Sequence, residues 1–353
     1  MINRLEKLRQ KIKENNLDLL IVSNAANLFY LSGFNSSEAY LFITPNENVL
    51  ATDFRYIEQA KEQSPGWEIY KIEGGITKWL PPLLGRLKAE RIGLEAESTN
   101  LLFFNHLESL LKEQFPQAVI IPTENIVGSL RIVKDQEEIS AITRAAAISD
   151  AAMEYISEFI QPGMTEEKVA WEIEKFMREN GSQHLPFDVI VASGPNAALP
   201  HAQPEPRLIN PGEPIIIDIG AKVDGYASDL TRTLYVGKKD DTFEKIYGIV
   251  LEAQLAAING ITNGMPADQA DSIARDIISR AGFGEAFGHS LGHGIGLEIH
   301  EAPNLSPNSK NILTDNMVFT IEPGIYLPGW GGVRIEDSVM LEGKIRCLSK
   351  VKK

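Results

Sequence analysis

A chain of 353 residues with 43% apolar side chains is long enough to bury two separate cores, which excludes a linker or a disordered tail. A net charge of −14 and a sequence pI near 5.0 disfavour attraction to nucleic acid or to an anionic membrane surface, so a small or neutral ligand is the better expectation. The single cysteine, Cys347, leaves no disulfide framework and no thiolate cluster, so any metal must be held by oxygen and nitrogen.

The opening stretch MINRLEKLRQKIKENN reads as a charged amphipathic helix without the apolar core and cleavage site of a signal peptide. The longest apolar runs, such as Leu17 to Val22, fall far short of the ~20 residues that span a bilayer, so neither a membrane partner nor nucleic acid is expected and the cytoplasm is the simplest address. DLLIVS, YLFITP and NVLATD read as strands, and FRYIEQAKEQ and LLFFNHLESLLKEQF as helices, the alternation of an α/β domain. The pattern breaks around Pro122 to Val133. Asp135 and Glu138 then resemble a capping box opening a long helix towards Ile160. The expected division is therefore residues 1–125 and 126–353.

The second part carries an internal repeat. Ile160 to Gly181 aligns without a gap onto Ile261 to Gly282, with Gly163 on Gly264, Met164 on Met265 and Gly181 on Gly282. In both copies a helix ends near the first glycine, a second begins at once, and a glycine closes it. Helix, glycine turn and helix recur often by chance, whereas a duplicated half-domain would place a site at its seam. The halves would each supply part of a central sheet, FDVIVAS and PIIIDIG from one, MVFTIEP and VRIEDSVMLEG from the other.

In PIIIDIGAKVDGYASDLTRTLYV, β-branched runs flank Asp224-Gly225, a strong hairpin signal. A two-residue loop would set Asp218 opposite Thr231. Asp229 would then share the face of Asp218, diagonal to it and within ~8 Å. A three-residue loop would put the two aspartates on opposite faces. Two such carboxylates repel unless a cation lies between them, while incidental acids on a solvated strand are the plainer reading. Thr320 and Glu322 share a face in MVFTIEP, and Arg334, Glu336 and Ser338 share one in VRIEDSV, which makes Glu336 a better ligand candidate than Asp337. Pro323 and Gly324 end the strand, so the carboxylate of Glu322 should sit at a sheet end facing a cavity, although a surface salt bridge explains either glutamate taken singly.

Four of the six histidines, His201, His289, His293 and His300, lie in suspect segments. The glycine-rich stretch from Phe287 to Gly296 is a poor helix interior and suggests backbone drawn close around something. An imidazole among carboxylates suits Mn, Co, Fe or Zn better than Mg or Ca. A lone loop histidine is ordinarily a polar surface residue, the reading given to His106 and His184.

In this order and spacing, these motifs resemble the pita-bread metallopeptidases, among them methionine aminopeptidase, aminopeptidase P, prolidase and the metal-free creatinases. The resemblance covers essentially the whole chain and implies an α/β (α+β) architecture, a creatinase-like N-terminal domain before a duplicated catalytic domain. It implies two divalent ions, Mn or Co first and Zn or Fe next, held by Asp218, the bridging Asp229 and Glu336, His293 and Glu322. It also implies that His201 and His300 contact the substrate carbonyl, that Glu322 moves a proton, and that His289 and Arg334 lie near the substrate. The reaction implied is hydrolysis of Xaa-Pro bonds at peptide N-termini, as by Xaa-Pro dipeptidase (prolidase) or, on longer peptides, aminopeptidase P. The partner is then a peptide with proline second, and a homodimer is implied, with Asp53, Arg55 and Tyr56 of TDFRY near the subunit contact. The extra N-terminal domain argues against a methionine aminopeptidase. A noncatalytic peptide-binding relative would be expected to have lost ligands, and none is missing.

Overall fold

The computed structural model describes residues 2–36 and 38–353. Two compact units divide at Arg131 and Ile132, a few residues past the boundary expected from the broken pattern. In the first, strands β1 (Leu19–Val22), β2 (Ala39–Ile43), β3 (Asn48–Asp53), β4 (Glu68–Ile72), β5 (Arg91–Glu95) and β6 (Val119–Thr123) form one six-stranded sheet in the order β4-β3-β2-β1-β5-β6. Pairing is antiparallel from β1 to β3 and parallel elsewhere, because helical crossovers precede β4, β5 and β6. Helices α1 (Ile2–Glu14), α2 (Ala25–Ser32), α3 (Ile57–Gln63), α4 (Ile76–Leu87), α5 (Leu101–Gln114) and α6 (Gly128–Arg131) complete this unit. Leu83 and Leu107, from α4 and α5, pack on Ile21, Phe42 and Val49 of the sheet.

The second unit begins with α7 (Gln136–Phe159), opened by a reciprocal capping box. Glu138 N–H donates to Asp135 Oδ1 at 3.0 Å and Asp135 N–H to Glu138 Oε2 at 2.9 Å. The repeat is then visible in three dimensions. Helices α8 (Glu166–Glu179) and α10 (Ala267–Arg280) are each 14 residues, and α10 follows α9 (Asp241–Gly260) as α8 follows α7. Gly163 and Gly264 adopt φ of 87° and 85°, a left-handed turn that a Cβ would strain. Each is clasped alike. Gly163 N–H donates to Ile209 O and Gly264 N–H to Leu313 O, both at 2.8 Å, while Ile209 and Leu313 return N–H to Met164 O and Met265 O, both at 2.9 Å. Each half also has its own apolar core, one including Ile173 and Ile217, the other Ala274 and Phe319.

Strands β7 (Ile190–Ser193), β8 (Pro214–Ile219) and β11 (Leu230–Tyr235) form an antiparallel sheet in the order β11-β8-β7, while β9 (Lys222–Val223) and β10 (Tyr226–Ala227) close the hairpin tip. The second half supplies β12 (Gly292–Gly294), β13 (Glu301–Leu305), β14 (Val318–Ile321), β17 (Asp337–Glu342) and β18 (Lys344–Cys347) in the order β13-β12-β14-β17-β18. Strands β15 (Gly324–Leu327) and β16 (Gly331–Arg334) pair separately. The expectation of one central sheet is thus corrected to a three-stranded and a five-stranded sheet with two short two-stranded pairs beside them, and the crossover residue Glu336 ties onto the first of these by donating its N–H to Thr231 O at 3.1 Å. VRIEDSVMLEG is likewise two strands rather than one. Arg334 pairs with Gly324 while Asp337 pairs with Ile321, so the chain changes partner at Ile335 and Glu336. The change is enforced from outside the strand, because Thr233 Oγ1 accepts from Arg334 N–H at 3.0 Å and donates to Arg334 O at 2.9 Å.

Candidate active site

Asp224 and Gly225, with φ of 49° and 83°, form the two-residue hairpin turn, and Val223 pairs with Tyr226. The same register runs down to Asp218 opposite Thr231, with Asp229 one residue before β11, so parity puts both aspartates on one face. Glu322 follows the last residue of β14, and Glu336 sits at the crossover between β16 and β17. His293 lies in the short β12, where the pairing register with β13 shifts after it. A Cβ on Gly292 or Gly294 would come within 2.0 Å of Thr320 O or 2.2 Å of Ala302 O, so the glycines let this strand lie against neighbouring backbone.

These side chains converge on a cavity of roughly 690 Å³, lined also by His201, His289, His300 and Arg334. Ligand atoms of Asp229, His293 and Glu336 all lie within 4.8 Å of one another. His293 Nε2 stands 3.6 Å from Asp229 Oδ2 and 3.3 Å from Glu322 Oε1. The His293 Nδ1 partner, Gly294 O at 3.2 Å, can only accept, so Nδ1 carries the hydrogen and Nε2 is turned to the carboxylates. Thr231 Oγ1 donates to Glu336 Oε2 at 2.6 Å, and Thr320 Oγ1 to Glu322 Oε1 at 3.0 Å. Asp337, by contrast, faces away and takes Arg232, Lys353 and Gln254 as partners.

Four carboxylates therefore share this space with the Arg334 guanidinium and the His293 imidazole beside them. Burial, then the charges of Glu336, Asp218 and Glu322, pushes the carboxyl of Asp229 well above its ordinary range. Burial likewise raises Glu336 well above its range, with Glu322 and Asp218 adding to it, and raises Asp218 against the opposing pull of Arg334. Glu322 moves the other way, to about 2, because the hydrogen bond and charge of His293 outweigh its own burial. Among the described residues, Asp218 Oδ1 is a buried oxygen with no hydrogen-bond partner. An all-oxygen-and-imidazole donor set with an orphaned carboxylate oxygen fits divalent cations.

A hydrogen-bond chain leads away from Asp218. Arg334 Nη2 donates to Asp218 Oδ2 at 2.7 Å, and Nη1 to the Tyr326 hydroxyl at 2.9 Å. The Tyr326 oxygen lies 2.9 Å from His289 Nε2, and His289 Nδ1 lies 2.8 Å from Ser290 O. A carbonyl accepts only, so His289 carries its hydrogen on Nδ1, and Tyr326 must donate its single proton to Nε2. Burial supports both assignments, lowering His289 and pushing the Tyr326 phenol up to about 12. Tyr326, Thr231 and Thr320 are site residues that sequence reasoning did not single out. The signal for the threonines lay in strand parity, whereas the tyrosine reads as an ordinary apolar-strand aromatic.

His201 sits exposed on the loop after β7, and His300 is exposed with its ring 4.3 Å from that of His293. The fully buried Glu166 at the start of α8 holds the His201 loop: it accepts from Ser193 N–H at 2.7 Å, Ser193 Oγ at 2.6 Å and Glu205 N–H at 3.1 Å. Glu166→Gln would turn a donor towards one of these donors, which costs about 1–3 kcal/mol. Denaturant unfolding should register that loss, and a midpoint equal to wild type would refute it.

Residues 140–342 match the sequence profile of metallopeptidase family M24, and residues 4–133 match that of the creatinase/prolidase N-terminal domain. An Xaa-Pro dipeptidase from Pyrococcus furiosus is 38% identical over 97% of this chain and 95% of its own. An Xaa-Pro dipeptidase structure from Bacillus anthracis superimposes with a TM-score of 0.95 at 40% identity, covering 100% of this chain and 98% of the other. An X-Pro aminopeptidase structure from Thermotoga maritima gives 0.88 at 37% identity, covering 97% and 98%. The chain belongs to metallopeptidase family M24, with a creatinase/prolidase-type N-terminal domain. It is a metallopeptidase of pita-bread fold, and divalent metal ions are implied by the family. No helix among the described residues is long and apolar enough to cross a membrane.

Proposed function

We propose that this protein hydrolyses Xaa-Pro bonds at peptide N-termini as a dinuclear metal-dependent exopeptidase, a cytoplasmic homodimer acting in the manner of Xaa-Pro dipeptidase. The observation that carries the reading is the convergence of Asp218, Asp229, His293, Glu322 and Glu336 on one cavity, in a chain closely similar to a named Xaa-Pro dipeptidase. These five residues would hold two ions; the donor set admits Mn, Co, Fe or Zn, and the family resemblance puts Mn or Co first. Ions so held supply Lewis-acid polarisation of a carbonyl and acidification of water. The protein's own groups do the rest. Glu322, held by Thr320, takes the proton of the attacking water on a carboxylate oxygen and passes it to the leaving nitrogen. His201 and His300, on the cavity wall, donate to the carbonyl oxygen as charge builds on it. Arg334 and His289 border the substrate and fix Asp218 from behind.

The second reading, an aminopeptidase for longer peptides, is favoured by one feature. Among the described residues lining the cavity, Arg334 is the only lysine or arginine, and its guanidinium already serves Asp218, Tyr326, Thr231 and Pro200 O. A free prolyl carboxylate would find no uncommitted permanent cation there. Hydrolysis of Ala-Pro, Met-Pro and an Xaa-Pro-Xaa tripeptide with added Mn or Co separates the readings. Dipeptide turnover is expected, cleavage of the tripeptide alone would favour the aminopeptidase, and no turnover of any would leave a noncatalytic peptide binder.

A further inference from the structure

We infer that Asp271 and Arg275 of α10 are positioning residues for the reaction proposed above, fixing the Phe287 to Leu291 segment so that the His289 imidazole meets Tyr326. The inference rests on that reading for its kinetic consequence, not for its geometry. Asp271 is fully buried and grips Arg275 through both oxygens, at 2.6 Å and 2.8 Å. The pair then holds three backbone groups of one short segment. Asp271 Oδ1 accepts from Leu291 N–H at 3.0 Å, while Arg275 donates to Phe287 O at 2.9 Å and His289 O at 2.7 Å. The guanidinium carbon also lies 4.2 Å from the centre of the Phe287 ring, whose edge meets His289.

His289 is the residue in the middle of this clamp, and its side chain is joined to Asp218 by hydrogen bonds through Tyr326 and Arg334. Leu291, at the clamp's far end, is followed by the strand bearing His293. The internal repeat separates a positioning role from a need of the helix itself. At the 101-residue offset Asp271 falls on Ala170 and Arg275 on Glu174, so the other copy builds the same 14-residue helix without this pair. The clamp occurs in the half where the segment between the helix and the next strand carries His289 and leads into the strand bearing His293.

Arg275→Lys keeps a charge opposite Asp271 but lacks the planar fork that reaches two carbonyls at once. In the metal-loaded enzyme it should lower kcat on the best Xaa-Pro substrate by about 10- to 100-fold with a much smaller change in KM, metal content staying at wild type. In a His289→Ala background the same substitution should add less than about twofold, because the two changes act through one side chain. Full additivity, or a wild-type kcat, would overturn the inference. A second arm needs no turnover: in zinc-loaded protein with 13C-labelled histidine, the His289 ring signal should shift or broaden while those of His106 and His184 hold. An unmoved His289 signal overturns the positioning role whatever the activity. Wild type inactive on every Xaa-Pro peptide would instead defeat the functional reading, leaving the ring signal to decide this one. Should the lysine variant fail to fold, Asp271→Asn serves both arms.

Discussion

Asp229→Asn is expected to abolish activity and metal retention together while leaving the fold intact. The substitution is nearly isosteric, and the backbone contacts of Asp229 do not involve its carboxylate: its N–H donates to Ser338 Oγ at 3.1 Å and its carbonyl accepts from the same hydroxyl at 2.7 Å. What is lost is the anionic oxygen 3.6 Å from His293 Nε2, in the middle of the candidate centre. Without that charge the site should lose an ion and, with it, the Lewis-acid chemistry on which turnover depends. The metal-free variant should be at least as stable as metal-free wild type, because burial and its neighbours already hold the Asp229 carboxyl well above its usual range. Metal analysis, a melt and a rate assay on one preparation suffice. Retention of both ions at full rate would remove Asp229 from the ligand set.

The second large effect is a reversal in how stability depends on pH. Asp218, Asp229 and Glu336 have raised carboxyls in the metal-free fold, primarily through burial. A group raised by folding contributes stability fully present below its unfolded value, near pH 4, and lost as pH climbs through its folded value. Each such carboxyl removes about 1.4 kcal/mol per pH unit across that interval. Glu322, at about 2, has the opposite sign: its contribution is present above roughly pH 4.5 and is lost only as pH falls towards 2. The chelated protein should therefore melt at progressively lower temperature as pH rises above the ordinary carboxylate range, while bound ions neutralise the same carboxylates. The melting-temperature gap between Mn-loaded and chelated protein should widen with pH. A gap that is constant or narrows would show that these carboxylates are not the ligands.

Much of this was legible in the sequence because it depends on local rules. Asp224-Gly225 requires a tight turn, and the period of two then carries Asp218 and Asp229 to one face and separates Glu336 from Asp337. The capping box at Asp135 and the glycines at 163 and 264 are local signals of the same kind. Partner exchange at Ile335 and Glu336 was not legible, since it is imposed by Thr233 about a hundred residues earlier. Helix α4 was hidden by Pro81 and Pro82, whose propensity argues against a helix that burial of Trp79, Leu80, Leu83 and Leu84 sustains. Tyr326 was hidden because nothing in GIYLPG marks a tyrosine whose hydroxyl joins Arg334 to His289. Arg55 was expected near a subunit contact; within its own chain it pairs with Asp53 at 2.6 Å.

Cleavage of the Xaa-Pro bond by a two-metal centre makes activity depend on metal loading. Its most direct test is a titration of chelated protein with Mn, following hydrolysis of Met-Pro and of an Xaa-Pro-Xaa peptide at each addition. No turnover is expected without metal, and the rate should reach its plateau at about two ions per chain. Turnover by the fully chelated protein, or none at any loading, would contradict it.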